Sequence, residues 1–180
     1  MPMEALSYAE KSLKADTPKA AGEGAVLAHL YDQHAAAVYR LLVAMLSSAA
    51  DAQDALSEVF LAVARRNPGR IQHPRAYLLA SARHKAISFL RRRKREMPAD
   101  PADGRFFDTA NLGSDQTLLA HRIETALREL PPEQREVVVL KTYEDLTFAE
   151  IAKISRTRPN TVASRYRYAV EKLRRRLQEE

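Results

Sequence analysis

Apolar positions along the chain recur at the three- and four-residue spacing of helices, and no stretch alternates apolar and polar long enough to build a strand. Val26, Leu27, Leu30, Val38, Leu41, Leu42 and Met45 trace one stripe through a first helix ending near Ser47. A second helix spans Ala52 to Arg66, its acidic start suited to the helix dipole, with Leu56, Val59, Phe60 and Val63 facing inward. Asn67-Pro68-Gly69 stops it. Pro74 opens a third helix, roughly Arg75 to Arg95, with Tyr77, Leu78, Ala82, Ala86, Phe89 and Leu90 as apolar positions. From Glu96 to Gln116 the periodicity breaks, and Pro98, Pro101, Gly104 and Gly113 stand among acidic residues. It resumes at Leu118, Leu119, Ile123 and Leu127.

The strongest local signal is Leu130 to Leu177. Pro132 opens a helix with Val137, Val138 and Leu140 on its apolar face. Thr147 and Glu150 have the spacing of a capping box, flanked by Leu146 and Ile151 at the staple positions. A short helix to about Ile154, a turn over 155–158 and a helix restarting at Pro159 make a helix-turn-helix. On the last helix Val162, Tyr166, Ala169, Val170 and Leu173 face a core. Asn160, Thr161, Ser164, Arg165 and Tyr168, with Arg167 at the edge, offer the donors, acceptors and cations that phosphates and base edges take.

The pattern therefore predicts an all-α chain of two small helical domains. They are residues 25–96 and 118–180, joined by a flexible acidic linker over 97–117, with a flexible tail at 1–24. A structureless stretch of about twenty residues is longer than a compact fold uses within itself.

Charge narrows the partners. Net charge is +6 and the pI about 9.7, which favours a polyanion, nucleic acid or membrane surface alike. From Arg83 to Arg95 lie seven cations and no acid, Arg83, Lys85, Arg91, Arg92, Arg93, Lys94 and Arg95, preceded by Tyr77 on the same helix. Such a surface can track a phosphate backbone while an aromatic ring stacks on a base. Asp51, Asp54 and Glu58 form an acidic patch on the second helix. The most apolar stretch, Ala35 to Ala50, contains Arg40 and is too short to span a membrane, so no membrane-embedded segment is expected. The start of the chain lacks the apolar core of a secretory signal. The absence of cysteine excludes disulfides and thiolate metal sites, and fits a reducing cytoplasm.

Enzyme chemistry finds no purchase. HExxH, a phosphate loop and a paired carboxylate set are all missing, and His29, His34, His73, His84 and His121 are scattered. No catalytic residue, metal, cofactor or small-molecule substrate is expected.

Two blocks carry a resemblance. LYDQH…VYRLL…DAQDALSEVFLAV…PRAYLLASARHKAISFLRRRKR is followed, after the acidic stretch, by LPPEQREVVVL…LTFAEIAKIS…NTVASRYRYAVEKLRRRL. Together they resemble a sigma factor of bacterial RNA polymerase. The likeness is to the small extracytoplasmic-function (ECF) type, which keeps only the second and fourth conserved regions, and it covers about Val26 to Leu177. It implies that Asp51, Asp54 and Glu58 grip the clamp helices of the polymerase's largest subunit. Arg75, Tyr77, Arg83, His84, Lys85, Arg91 and Arg92 are then the surface that recognises and melts the minus-ten element. The linker resembles a segment that threads towards the active site and RNA exit path. Leu130, Val137 and Leu140 match the part that holds the tip of the β flap. Arg158, Asn160, Thr161, Ser164, Arg165 and Arg167 match the reader of the minus-thirty-five element. An anti-sigma factor, where one exists, would cover the clamp-binding face or wedge between the domains.

The chain also departs from the family pattern. Tyr77 stands where tryptophan is usual, His84 for asparagine and Ser88 for aspartate, changes that bear on the minus-ten preference. Ser57 replaces a common glutamine in the clamp-facing helix. Arg156 occupies the glycine of the helix-turn-helix turn, and Asp145 the glycine before its first helix. A left-handed backbone is costlier for either than for glycine, so the turn differs in shape or carries strain.

A stand-alone helix-turn-helix repressor or activator is the alternative, but it needs neither the acidic patch nor the long linker. A recombinase-like enzyme with such a tail would need a nucleophile or carboxylate cluster that the first half lacks.

Overall fold

The computed structural model describes residues 22–96 and 114–178, and within them the chain is all helix. The elements are α1 (Glu23–Leu46), α2 (Ala49–Ala64), a 3-10 turn (Pro68–Arg70), α3 (Pro74–Glu96), α4 (Ser114–Arg128), α5 (Pro132–Thr142), α6 (Phe148–Ser155) and α7 (Pro159–Gln178). The expected tail up to 21 and the expected linker from 97 to 113 lie outside the described residues. Helix α4 begins at Ser114, inside the stretch that the loss of periodicity marked as linker.

Local signals set the helix ends. Ser48 caps α2 by accepting from the Asp51 N–H at 3.2 Å. The Asn67 side chain accepts from the Gly69 N–H at 3.1 Å and starts the 3-10 turn. Proline opens α3, α5 and α7, where its missing donor costs nothing. The capping box of α6 is complete: Glu150 N–H reaches Thr147 Oγ1 at 3.2 Å, and Thr147 N–H reaches Glu150 Oε2 at 2.7 Å.

Helix α1 is the axis of the fold. It packs against α2 and α3 on one side and against α5 on the other, while α3 also touches α6. Every residue from Ala37 to Leu46 apart from Tyr39 and Arg40 is buried, including Val43, Ala44 and Leu46, which lie off the stripe expected from periodicity. A helix that is apolar all round is one covered all round. Here the second cover is the C-terminal half, so the two halves close on a shared core instead of standing apart. In that half, α5 contributes Val137, Val138, Val139 and Leu140, and α7 closes the layer through Val162 and Ala169.

Candidate functional surfaces

The helix-turn-helix is built as its sequence signals require. Helix α6 ends in a Schellman motif: Thr157 N–H bonds the Ala152 carbonyl at 3.0 Å, and Arg156 N–H bonds that of Lys153 at 3.4 Å. The motif needs a left-handed residue, and Arg156 supplies it at φ 50° and ψ 47°. Asp145, ahead of α6, is also left-handed at φ 49°. Of the two outcomes open to this turn, the chain keeps the glycine-type shape and carries the strain.

Helix α7 then presents its polar stripe outward. Arg158, Asn160 and Arg167 are exposed, and Thr161, Ser164 and Arg165 are half-buried. Ser164 Oγ donates to the Thr161 carbonyl at 3.0 Å, so its hydroxyl is partly engaged. The Arg167 guanidinium lies 5.1 Å from the centroid of the exposed Tyr168 ring, a cation–π contact that stiffens both side chains.

In the N-terminal half, Asp51, Asp54 and Glu58 share one face of α2, and Asp54 and Glu58 are exposed. The basic helix lies alongside. Lys85 Nζ sits 2.7 Å from Glu58 Oε2, and Arg93 Nη1 3.8 Å from Asp51 Oδ2. Solvated pairs of this kind contribute little to stability, so they leave both surfaces available to partners. Along α3, His84, Arg91 and Arg92 are exposed, while Tyr77 and Lys85 are half-buried. Arg92 stacks 4.9 Å from the Phe89 ring.

Arg75 and Arg83 are placed differently from the rest of that surface. Arg83 Nε donates to Glu136 Oε1 at 2.7 Å. Arg75 Nη2 donates to Glu144 Oε2 at 3.0 Å and to the Glu144 carbonyl at 2.5 Å. Both glutamates belong to the C-terminal half. Glu136 is wholly buried on α5 and accepts from Ser155 Oγ of α6 as well, at 2.7 Å. Glu144, just beyond α5, is 4% exposed and also accepts from Arg40 Nη2 of α1 at 2.7 Å. A third link joins Arg135 of α5 to the Ser47 hydroxyl at the end of α1. Burial and the neighbouring Arg128 lower the Arg135 guanidinium to about 10. Leu130, Val137 and Leu140 do not form an outward surface here, since all three lie in the buried core.

Glu136, Glu144 and Arg40 were not singled out by their chemistry in the sequence. The signal was present: Arg40 interrupts the most apolar run of the chain, and Glu136 occupies the core-facing phase one turn before Leu140. Charges at such positions are paired when buried.

Among the described residues no group of His, Asp and Glu could hold a metal ion, and no helix is long and apolar enough to cross a membrane.

The comparisons with known proteins match both halves. The family model described as Sigma-70 region 2 matches residues 30–96, and that described as Sigma-70, region 4 matches residues 120–173. The chain is 33% identical over 170 residues to the ECF RNA polymerase sigma factor SigL of Mycobacterium tuberculosis, covering 89% of this chain and 93% of that protein. It is 33% identical over 156 residues to the RNA polymerase sigma factor CarQ of Myxococcus xanthus, covering 81% and 85%. Its fold is similar to that of the sigma factor RpoE from Bartonella quintana, solved with the anti-sigma factor NepR. The TM-score is 0.71 at 20% identity, over 82% of this chain and 94% of that one. CnrH, solved with the cytosolic domain of CnrY, matches at a TM-score of 0.61 and 19% identity, over 86% and 88%.

Proposed function

This chain belongs to the sigma-70 family, in its extracytoplasmic-function branch, and from that premise we propose how its surfaces divide the work of starting transcription. It is a sigma factor: it binds core RNA polymerase and directs promoter recognition, promoter melting and initiation. One observation carries that reading, a region 2 match followed by a region 4 match in a single chain.

In our assignment residues 25–96 and 118–180 are two working units joined by 97–117. Asp51, Asp54 and Glu58 take the clamp helices of the polymerase. Arg75, Tyr77, Arg83, His84, Lys85, Arg91 and Arg92 hold the minus-ten element. Arg158, Asn160, Thr161, Ser164, Arg165 and Arg167 read the minus-thirty-five element. Leu130, Val137 and Leu140 receive the β flap once the halves have rearranged. The family is one of non-enzymatic initiation factors, and we assign this chain no catalysis and no cofactor. Its place of work is the cytoplasm, where polymerase and promoter are. One fold neighbour was solved with an anti-sigma factor, which supports a comparable inhibitor here, seated on the clamp-binding face or between the halves.

The physics fits this division. Phosphate contacts from several arginines give an affinity that falls steeply with salt, while one good bidentate base contact adds about 1–3 kcal/mol of discrimination. Melting needs a pocket for an unstacked base, since flipping one costs a few kcal/mol. Core polymerase aligns both units on one promoter and supplies the effective concentration that neither has alone.

Run-off transcription with purified core polymerase over a pool of promoter fragments tests the reading. New transcripts that depend on the protein and vanish with Asp54→Arg or Arg165→Glu are expected. DNA binding without polymerase association or transcripts would instead indicate a stand-alone regulator.

A further inference from the structure

We propose that Glu136 and Glu144 act as internal stand-ins for promoter phosphates, latching the free protein shut by occupying the arginines of the minus-ten surface. The proposal rests on the assignment of Arg75 and Arg83 to DNA. Those two arginines are bound by carboxylate oxygens at 2.7 and 3.0 Å, the geometry a phosphate oxygen would use. The carboxylates come from the other half of the chain, 53 and 69 residues away in sequence.

Burial separates this contact from an ordinary surface pair. Glu136 is fully buried and Glu144 4% exposed, whereas the Lys85–Glu58 pair between α3 and α2 is open to water. Arg83 is 17% exposed and held by a wholly buried carboxylate, so DNA cannot take it while the halves stay together; Arg75, at 41%, keeps an open side but gives up its Glu144 contacts only when the halves part. Parting also uncovers Val137 and Leu140, both 0% exposed in the closed form. One movement therefore frees the assigned DNA-binding arginines and the assigned flap-binding leucine and valine together. Arg40 completes the latch. It holds Glu144 Oε1 from α1 through Nε at 3.1 Å and Nη2 at 2.7 Å, and no DNA role is assigned to it.

The test uses two readouts on the full chain without polymerase. The sequence has no native cysteine, so Ala62→Cys and Glu171→Cys, both exposed, allow paired spin labels on the two halves. The second readout is affinity for a fluorescein-labelled 30-base-pair duplex at fixed salt. Glu136→Gln with Glu144→Gln should lengthen and broaden the interlabel distance and tighten duplex binding about 10-fold or more, because apparent affinity scales with the open fraction. Removing two exposed acids instead, Asp32→Asn with Glu133→Gln, changes net charge equally and should give much the smaller gain.

Arg40→Gln is the sharper variant. It removes a cation, which by charge alone weakens DNA binding, yet as a latch residue it should strengthen binding and lengthen the distance. It also leaves the α5–α6 interior intact, should Glu136→Gln fail to fold. An unchanged distance together with weaker binding in Arg40→Gln would overturn the latch. Lengthened distances with no dependence of binding on Arg75→Ala or Arg83→Ala in the opened background would keep the latch and overturn the DNA assignment of those arginines.

Discussion

Replacing Arg156 by glycine should stabilise the protein. Arg156 sits at the left-handed position of the Schellman motif that ends α6, at φ 50° and ψ 47°. A residue with a Cβ is disfavoured there by about 1–2 kcal/mol, while glycine is not. Against this gain stands the greater freedom of glycine in the unfolded chain, about 0.4–1 kcal/mol. The Arg156 side chain is exposed, so its removal uncovers no core. The balance is a gain of about 0.5–1 kcal/mol, or about 1–4 °C in melting temperature for a chain of this length. Circular dichroism melts of wild type, Arg156→Gly and Arg156→Ala decide the matter. Alanine keeps the Cβ and should yield none of the gain. Asp145→Gly should yield less, because aspartate tolerates the left-handed region better than arginine does. If Arg156→Gly melts at or below wild type, or if alanine matches glycine, the turn is not strained by its Cβ and the argument fails.

Two further outcomes follow from the closed interface. Arg83→Met strands the buried Glu136 carboxylate and should cost up to about 3–5 kcal/mol in urea denaturation; Glu136→Met in the same background should recover most of it, and simple additivity of the two would refute the coupling. His34 is held below its ordinary value by burial, then by Arg75 and His29, against the opposing pull of Glu144. The fold thus favours neutral His34, and its contribution is present above the unfolded value and lost as pH falls through the folded one. Melting temperature should fall from about pH 7.5 to 5.5, and His34→Gln should flatten that slope; an unchanged slope would place the titration elsewhere.

Much of the architecture was legible because helices announce their ends locally. The Thr147–Glu150 capping box, the prolines at the heads of α3, α5 and α7, and the Asn67-Pro68-Gly69 stop all act within a few residues, and the chain obeys each. The polar stripe of α7 was equally readable, because its inward phase is pinned by Val162 and Ala169. What periodicity could not disclose was the closure of one half on the other. An apolar stripe says that a face is covered but not by which element, and Val43, Ala44 and Leu46 lie on a second face of α1 that the stripe does not include. The same blindness hid Glu136 and Glu144. Glu136 shows locally only as a charge on a core-facing phase and Glu144 not at all, and each acquires its partner from an arginine more than fifty residues away.

The closed form also explains why buried charged groups stand beside the apolar contact between the halves. An apolar interface of similar size would gain free energy with little dependence on what else is present. A buried carboxylate–guanidinium contact behaves otherwise: desolvation largely offsets its attraction, so it holds firmly only while both partners remain and nothing better is offered. In the proposed exchange, promoter phosphates offer Arg75 and Arg83 a replacement oxygen, and opening returns the glutamates to water, where they are well solvated. Each step of that exchange swaps one charged contact for another. The charged contacts then add little to the net cost of opening, which falls mainly on uncovering the shared apolar core, so the charges set what triggers opening and the core sets how far the closed form is favoured.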